Sequence, residues 1–261
     1  MNGKQQMSDK EFAEWMREFY NKKAKSVFKG DYECYRWFST PIKKRQYAFT
    51  TLSLLYHLRD IRFKNCLEIG CGAGTWTKLL IKKYPKARFT CLDISKEMIK
   101  QFKIKIKSKR VKIIINNFLD QEFKSKYDFI FCSRAIEYIP NKPEVIKKFY
   151  ELLLPGGNGI IVSSSPHPVF FRIKKLFKRK INLQHTQRIS VKDLYKLLKN
   201  AGFVNIEFYP ILFSELKVIP TKRLFKNLYK KKFGILSRIF ATGYITKFKK
   251  FVYSEEKNEK I

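Results

Sequence analysis

Between residues 65 and 163 the chain alternates short apolar runs with segments of helical periodicity, and this alternation restricts its possible folds most. The runs are Asn65–Ile69, Arg88–Leu92, Val111–Ile115, Phe129–Cys132 and Gly159–Ser163, and helical spacing fills Trp76–Lys83, Lys96–Lys107 and Pro143–Leu153. Strands this apolar need cover on both faces, which strand–helix alternation provides around a parallel sheet. Further on, Val191–Ala201 reads as a helix stopped by Gly202, and Phe203–Tyr209 and Ile239–Lys247 read as two more strands that complete the sheet. Ahead of the alternation, residues 9–28 put Phe12, Trp15, Met16, Phe19 and Tyr20 at helical spacing. Pro41 interrupts, and a second helix is predicted from about Lys43 to Leu58. The economical reading is an α/β fold with a helical extension or lid over 1–60, one domain over 61–252 and a polar tail, expected to be disordered, over 253–261.

Composition agrees with a packed domain. Hydrophobic residues make up 44% of the chain and aromatic ones 16%, ample for a buried core. Apolar stretches such as Leu52–Tyr56 fall far short of the ~20 residues that cross a bilayer. Met1–Phe12 has no apolar segment of the signal-peptide kind. Cys34, Cys66, Cys71, Cys91 and Cys132 are odd in number and contain no C-x-x-C pair, which points to reduced thiols in the cytoplasm and to no metal site.

The first strand runs into Glu68-Ile69-Gly70-Cys71-Gly72-Ala73-Gly74 and then into an apolar helix. In an open α/β sheet the first strand–helix turn faces the ligand crevice, and glycines there let the backbone turn tightly and lie against a ligand. Asp93, followed by Ile94, ends the second strand, where a carboxylate can accept from both hydroxyls of an adenosine ribose. A dinucleotide loop reads G-x-G-x-x-G, whereas here the third glycine comes one residue sooner and Thr75 takes the expected place. Glu68 before the glycines is a poor neighbour for a pyrophosphate and a good one for an ammonium and a sulfonium. The pattern therefore selects S-adenosylmethionine over NAD.

From Asn65 to Tyr209 the chain resembles the class I S-adenosylmethionine-dependent methyltransferases, in particular the small-molecule branch that includes quinone-biosynthesis enzymes. The likeness rests on the glycine loop and Asp93, on Asn116-Asn117-Phe118-Leu119-Asp120, on Tyr127 to Ile139, and on Leu152-Leu153-Leu154-Pro155-Gly156-Gly157. It implies a Rossmann-like, seven-stranded, mostly parallel sheet with helices on both faces. It also implies Glu68, Gly70, Cys71, Gly72, Gly74, Asp93 and Ile94 around the cofactor, Asn117 and Phe118 at the adenine, and Ser133 near the methionine portion. The family more often has Asp where this chain has Asn117, whose amide oxygen can still accept from the adenine amine.

Methyl transfer needs alignment more than a fixed catalytic side chain. His167, just after the fifth strand, is the candidate general base; His57 lies among apolar helix residues and His185 in a polar loop. Glu137 and Tyr138 follow the fourth strand, with Glu137 read as facing either the methyl site or solvent. Tyr32, Tyr35, Arg36 and Trp37 form a cluster able to lid a cationic ligand or simply to pack. No [D/N]-P-P-[F/Y] and no Pro-Cys follows the fourth strand, which argues against enzymes that methylate base amines or cytosine carbon.

Lys and Arg total 56 against 22 Asp and Glu, a formal charge of +34. Such a field draws in anionic surfaces and polymers, although a Lys excess together with abundant Ile, Phe, Asn and Tyr is also what an AT-rich coding sequence produces. Two segments, near 166–182 and 219–234, interleave an apolar stripe with Lys and Arg in the manner of interfacial helices. The expected acceptor is a small or lipid-linked molecule, with the protein cytoplasmic or peripheral at the inner membrane face. RNA, or a non-catalytic cofactor-binding role, is the alternative.

Overall fold

The computed structural model describes residues 7–26, 30–166, 188–213, 230–232, 234, 237 and 241–252. Its centre is a seven-stranded sheet of β1 (Asn65–Ile69), β2 (Arg88–Asp93), β3 (Val111–Ile115), β4 (Tyr127–Ser133), β5 (Leu153–Ser164), β6 (Phe203–Phe213) and β7 (Ala241–Lys250). The order is β3-β2-β1-β4-β5-β7-β6, parallel from β3 to β5, with β7 antiparallel to both β5 and β6. The sequence reading of seven strands in a mostly parallel sheet holds. Chain order reverses between β1 and β4, so a crevice opens there beyond the carboxyl ends of the strands.

Helices α1 (Asp9–Ser26), α2 (Pro41–His57), α3 (Thr75–Lys83), α4 (Lys96–Lys105), α5 (Lys142–Leu152) and α6 (Val191–Asn200) surround the sheet. Strand alternation sends neighbouring residues to opposite faces. Cys66, Phe89 and Phe131 pack with Leu54, Trp76, Leu80 and Phe102 from α2, α3 and α4. Leu67, Ile130 and Ile161 pack with Val145, Phe149, Leu194 and Leu198 from α5 and α6.

Side-chain caps set most helix starts. Ser8 and Glu11 form a reciprocal box at α1, Glu11 N donating to Ser8 Oγ at 3.3 Å and Ser8 N to the Glu11 carboxylate at 2.8 Å. Ser95, Asn141 and Ser190 cap α4, α5 and α6. Pro41 starts α2 rather than interrupting it: its missing N–H falls where no helical partner exists, and Thr40 Oγ1 accepts from Lys43 N at 3.3 Å. Residues 153–157, ahead of the predicted start of the fifth strand at Gly159, already belong to β5, with a register shift between Tyr127 and Phe129 taking up the irregularity. The last strand ends at Lys250 rather than Lys247. His167, His185, the tail after 252 and nearly all of the two basic segments lie outside the described residues.

Candidate active site

β1 ends at Ile69, and the backbone turns at once. Gly70 N and Cys71 N both donate to Leu92 O of the neighbouring β2, at 2.7 and 3.1 Å, which fixes the turn to the sheet. Gly70 adopts φ +71°, and a Cβ there would fall 2.2 Å from the Cβ of Ala135 in the loop after β4. Side chain and backbone thus both require glycine. Gly70→Ala is expected to destabilise the fold by about 2–4 kcal/mol, adding left-handed strain to overpacking; a thermal melt checks it, and an unshifted melting temperature would contradict the close approach. Gly72, also left-handed, has nothing within 4 Å of the point a Cβ would occupy and borders open space. Gly74 caps α3, and a Cβ there would meet Ile106 Cδ1 at 2.5 Å, so it serves packing against α4 and does not line the cavity.

Asp93 closes β2 beside this turn. Its Oδ2 accepts from Gly72 N at 2.7 Å and its Oδ1 from Ser95 N at 2.9 Å. Burial pushes its carboxyl up, and the N–H groups of Ser95, Gly72 and Ile94 pull it back. Each oxygen keeps a lone pair for a further donor. Ile94, Asn116, Asn117 and Phe118 continue the wall, Phe118 held edge-on by Phe149 at 5.4 Å. Asn117 Nδ2 donates to Asp120 Oδ2 at 3.0 Å, which orients its amide. Ser133, at the end of β4, also lines the cavity, and its buried hydroxyl has no hydrogen-bond partner among the described residues.

The opposite wall comes from the N-terminal extension. α1 is held to α4 by polar contacts: Ser95 Oγ donates to Asn21 Oδ1 at 2.8 Å, and Gln101 Nε2 to Ala24 O at 3.1 Å. A π-helical turn, Cys34–Phe38, then brings Glu33, Tyr35, Arg36 and Trp37 to the cavity, facing Tyr20 and Lys23 of α1. Trp37 Nε1 donates to Thr75 Oγ1 at 3.3 Å, and the Thr75 hydroxyl donates to the Glu33 carboxylate. The aromatic cluster noted in the sequence is therefore part of the site's wall. The cavity, open on one side to solvent, is about 380 Å³, within the range of small-ligand sites.

Besides Gly74, two residues lie where the sequence did not place them. Glu68 is buried and absent from the cavity wall, because alternation along β1 turns it with Cys66 toward α3 while Ile69 reaches the cavity. There its Oε2 accepts from Thr77 Oγ1 at 2.6 Å, and burial pushes its carboxyl up to about 8. Glu137 faces neither the methyl site nor solvent: 1% exposed, it lies 3.6 Å from both Arg134 Nη1 and Arg188 Nε and accepts from Ser164 Oγ at 3.3 Å. Tyr138, by contrast, lines the cavity, its ring 5.6 Å from Tyr20. His57 is buried with its ring 4.1 Å from Tyr209, a structural position. Glu33, Lys23 and Lys43 are cavity residues that sequence reasoning missed, since no motif surrounds them, and Thr75, noted only as standing in a glycine's place, joins them on the wall.

The comparisons with known proteins agree with this geometry. Residues 67–158 match the family model described as a methyltransferase domain. A malonyl-[acyl-carrier protein] O-methyltransferase of Ilyobacter polytropus is 34% identical over 51% of this chain and 52% of its own length, so the chain spans about half of that relative. A demethylmenaquinone methyltransferase of a Geobacillus strain is 24% identical over 69% of this chain and 88% of its own. Among solved structures, the N-methyltransferase NodS of Bradyrhizobium japonicum, bound to S-adenosyl-L-homocysteine, shares the fold with a TM-score of 0.59 at 15% identity, over 90% of this chain and 97% of that one. Residues 67–158 thus match a methyltransferase domain within a sheet shared with S-adenosylmethionine-dependent methyltransferases, and the chain is similar to that family.

Proposed function

We propose that the protein is an S-adenosylmethionine-dependent methyltransferase acting on a small or carrier-linked acceptor. The observation that carries this reading is the Gly70–Gly72 turn bonded to Asp93 at the edge of a ligand-sized cavity. The residues present fit the cofactor. Asp93 has acceptor capacity left for ribose hydroxyls, Gly72 leaves room for close backbone approach, and the Ser133 hydroxyl lacks a partner among the described residues. Asn117 and Phe118 would hold the adenine, and the glycine turn and Ser133 the methionine portion. When bound, the cofactor supplies a sulfonium methyl group, taken by an acceptor lone pair in line as the carbon–sulfur pair returns to sulfur. The chain's own work is alignment and exclusion of water, for which Tyr20, Trp37 and Tyr138 form an aromatic wall able to face a cation. His167, a few residues beyond the end of β5, is the candidate general base for an acceptor that must lose a proton.

Glu33 gives this reading a pH signature. Burial pushes its carboxyl up to about 7, against the pull of Lys105 and Arg36. It is therefore largely protonated at pH 6 and ionised at pH 8, and only the ionised form attracts the cofactor's ammonium. Affinity for S-adenosylmethionine is expected to rise severalfold from pH 6 to pH 8, and Glu33→Gln to flatten the rise. A rise of equal size in the variant would remove Glu33 from the site.

The names of the two relatives give a carrier-bound malonyl group and demethylmenaquinone as their acceptors. These support a small, carrier-linked or lipid-linked acceptor here, and the +34 charge supports recruitment to an anionic membrane face. Incubation with methyl-labelled S-adenosylmethionine and a fractionated cell extract tests the reading. Label is expected in the lipid, carrier-protein or small-molecule fraction. Label confined to RNA would overturn the acceptor class, and cofactor binding without any labelled product would overturn the activity.

A further inference from the structure

The cavity wall opposite the glycine turn is strongly cationic. Lys23 of α1, Arg36 of the π-helical turn and Lys43 of α2 all line it. Among the described residues none of the three forms an ion pair with a carboxylate. Lys23 and Arg36 rest against the rings of Phe19 and Trp37 at 5.0 and 4.3 Å, and Lys43 Nζ lies 4.3 Å from the Tyr35 ring and donates to Tyr35 O and Ser39 Oγ, at 3.2 and 2.9 Å. Arg134, nearby on the wall, is already engaged by Glu137. Like charges gathered in a sheltered space repel, and Lys23 shows it: burial, then Arg36 and Lys43, lower its affinity for a proton.

The cofactor does not relieve this imbalance. It brings an ammonium and a sulfonium against a single carboxylate, so it adds positive charge even after that carboxylate has taken one of the cations. Of the acidic side chains on the wall, Asp93 is the ribose acceptor of the proposed site and Glu33, when ionised, faces the cofactor's ammonium, so two carboxylates stand against three side-chain cations and the cofactor's net positive charge. A neutral acceptor would leave the corner uncompensated.

Resting on the methyltransferase reading, we infer that the acceptor is an organic anion whose carboxylate or phosphate group sits against Lys23, Arg36 and Lys43. The three come from three different elements, line the same cavity and act on one another electrostatically, so together they can hold an oxyanion while the rest of the acceptor reaches toward Ser133. Carboxylate and phosphate share this chemistry and differ in geometry and charge, which the test separates.

Malonate, inorganic phosphate and neutral malonamide are titrated into the full-length protein, with and without saturating S-adenosylhomocysteine. Fluorescence of Trp37 and Trp76, both on the cavity wall, is the readout. Either malonate or phosphate is expected to bind at least tenfold more tightly than malonamide, and the stronger of the two names the group. Lys23→Gln/Lys43→Gln is expected to weaken that anion at least tenfold while S-adenosylhomocysteine binding, measured by calorimetry, changes less than threefold. Lys82→Gln/Lys196→Gln, exposed positions on α3 and α6, should leave anion binding unchanged and so controls for the general positive field. Malonamide binding as well as both anions, or anion binding equal in the cavity variant and the wild type, would overturn the inference while leaving the methyltransferase reading in place. Failure of the wild type to bind S-adenosylhomocysteine would sink that reading and this inference with it.

Discussion

Asp93→Ala is expected to weaken S-adenosylmethionine binding more than a hundredfold while the folded protein survives. The carboxylate holds Gly72 N and Ser95 N, and its remaining lone pairs are the ribose acceptors of the proposed site. Hydrogen bonds to a charged group contribute about 1.5–3 kcal/mol each, so losing two to the ribose removes about 3–6 kcal/mol of binding. Gly72 N, left without its acceptor, lies at the cavity edge where solvent can replace it, whereas Ser95 N is buried and its loss costs the fold about 1–3 kcal/mol. Asp93→Asn should fall between, because its one amide oxygen can serve one of the two N–H groups. Isothermal calorimetry on both variants measures this; affinities within threefold of wild type would move the ribose elsewhere.

The second large effect is on stability and lies just behind the cavity. Glu137→Ala is expected to cost about 3 kcal/mol, the lower end of the range for breaking a buried ion pair from one side. Glu137 is 1% exposed, whereas the side chains of Arg134 and Arg188 keep 21% and 19% of their surface, so water can partly take over from the lost carboxylate. Arg134 carries further weight. It has a left-handed backbone at φ 58°, its N–H donates to Val162 O at 2.8 Å, and its side chain also bonds Ser164. Glu137 thereby braces the loop that presents Ser133 and Ala135 to the glycine turn. Urea unfolding gives the free energy, and a midpoint equal to wild type would show that the two arginines find other partners at no loss. Glu137→Gln separates shape from charge: it should recover part of the lost stability through the Ser164 hydrogen bond alone.

How far the sequence carried depends on the range of the interactions involved. The strands of the parallel core are short apolar runs, and β1, β2 and β4 are each followed by a helix of clear periodicity, so β1 to β5 could be read locally. The Gly70–Gly74 turn and Asp93 were legible for the same reason, since backbone geometry at a strand end dictates the residue type. Glu68 was misplaced because motif position says nothing about which face of β1 a side chain occupies. Glu137 was misjudged because its partners, Ser164 and Arg188, arrive from distant segments. The cationic corner was invisible for a similar reason: Lys23, Arg36 and Lys43 lie scattered through the extension, among many other lysines, until α1 and the π-helical turn fold over the sheet edge.

The central claim is that the glycine turn and Asp93 form a site for S-adenosylmethionine and not for a dinucleotide. Equilibrium dialysis of the purified protein with radiolabelled S-adenosylmethionine, in competition with S-adenosylhomocysteine and with NAD, tests it most directly. Saturable binding at one site per chain, displaced by S-adenosylhomocysteine and untouched by NAD, is the predicted result. No saturable binding, or displacement by NAD as effective as by S-adenosylhomocysteine, would contradict it.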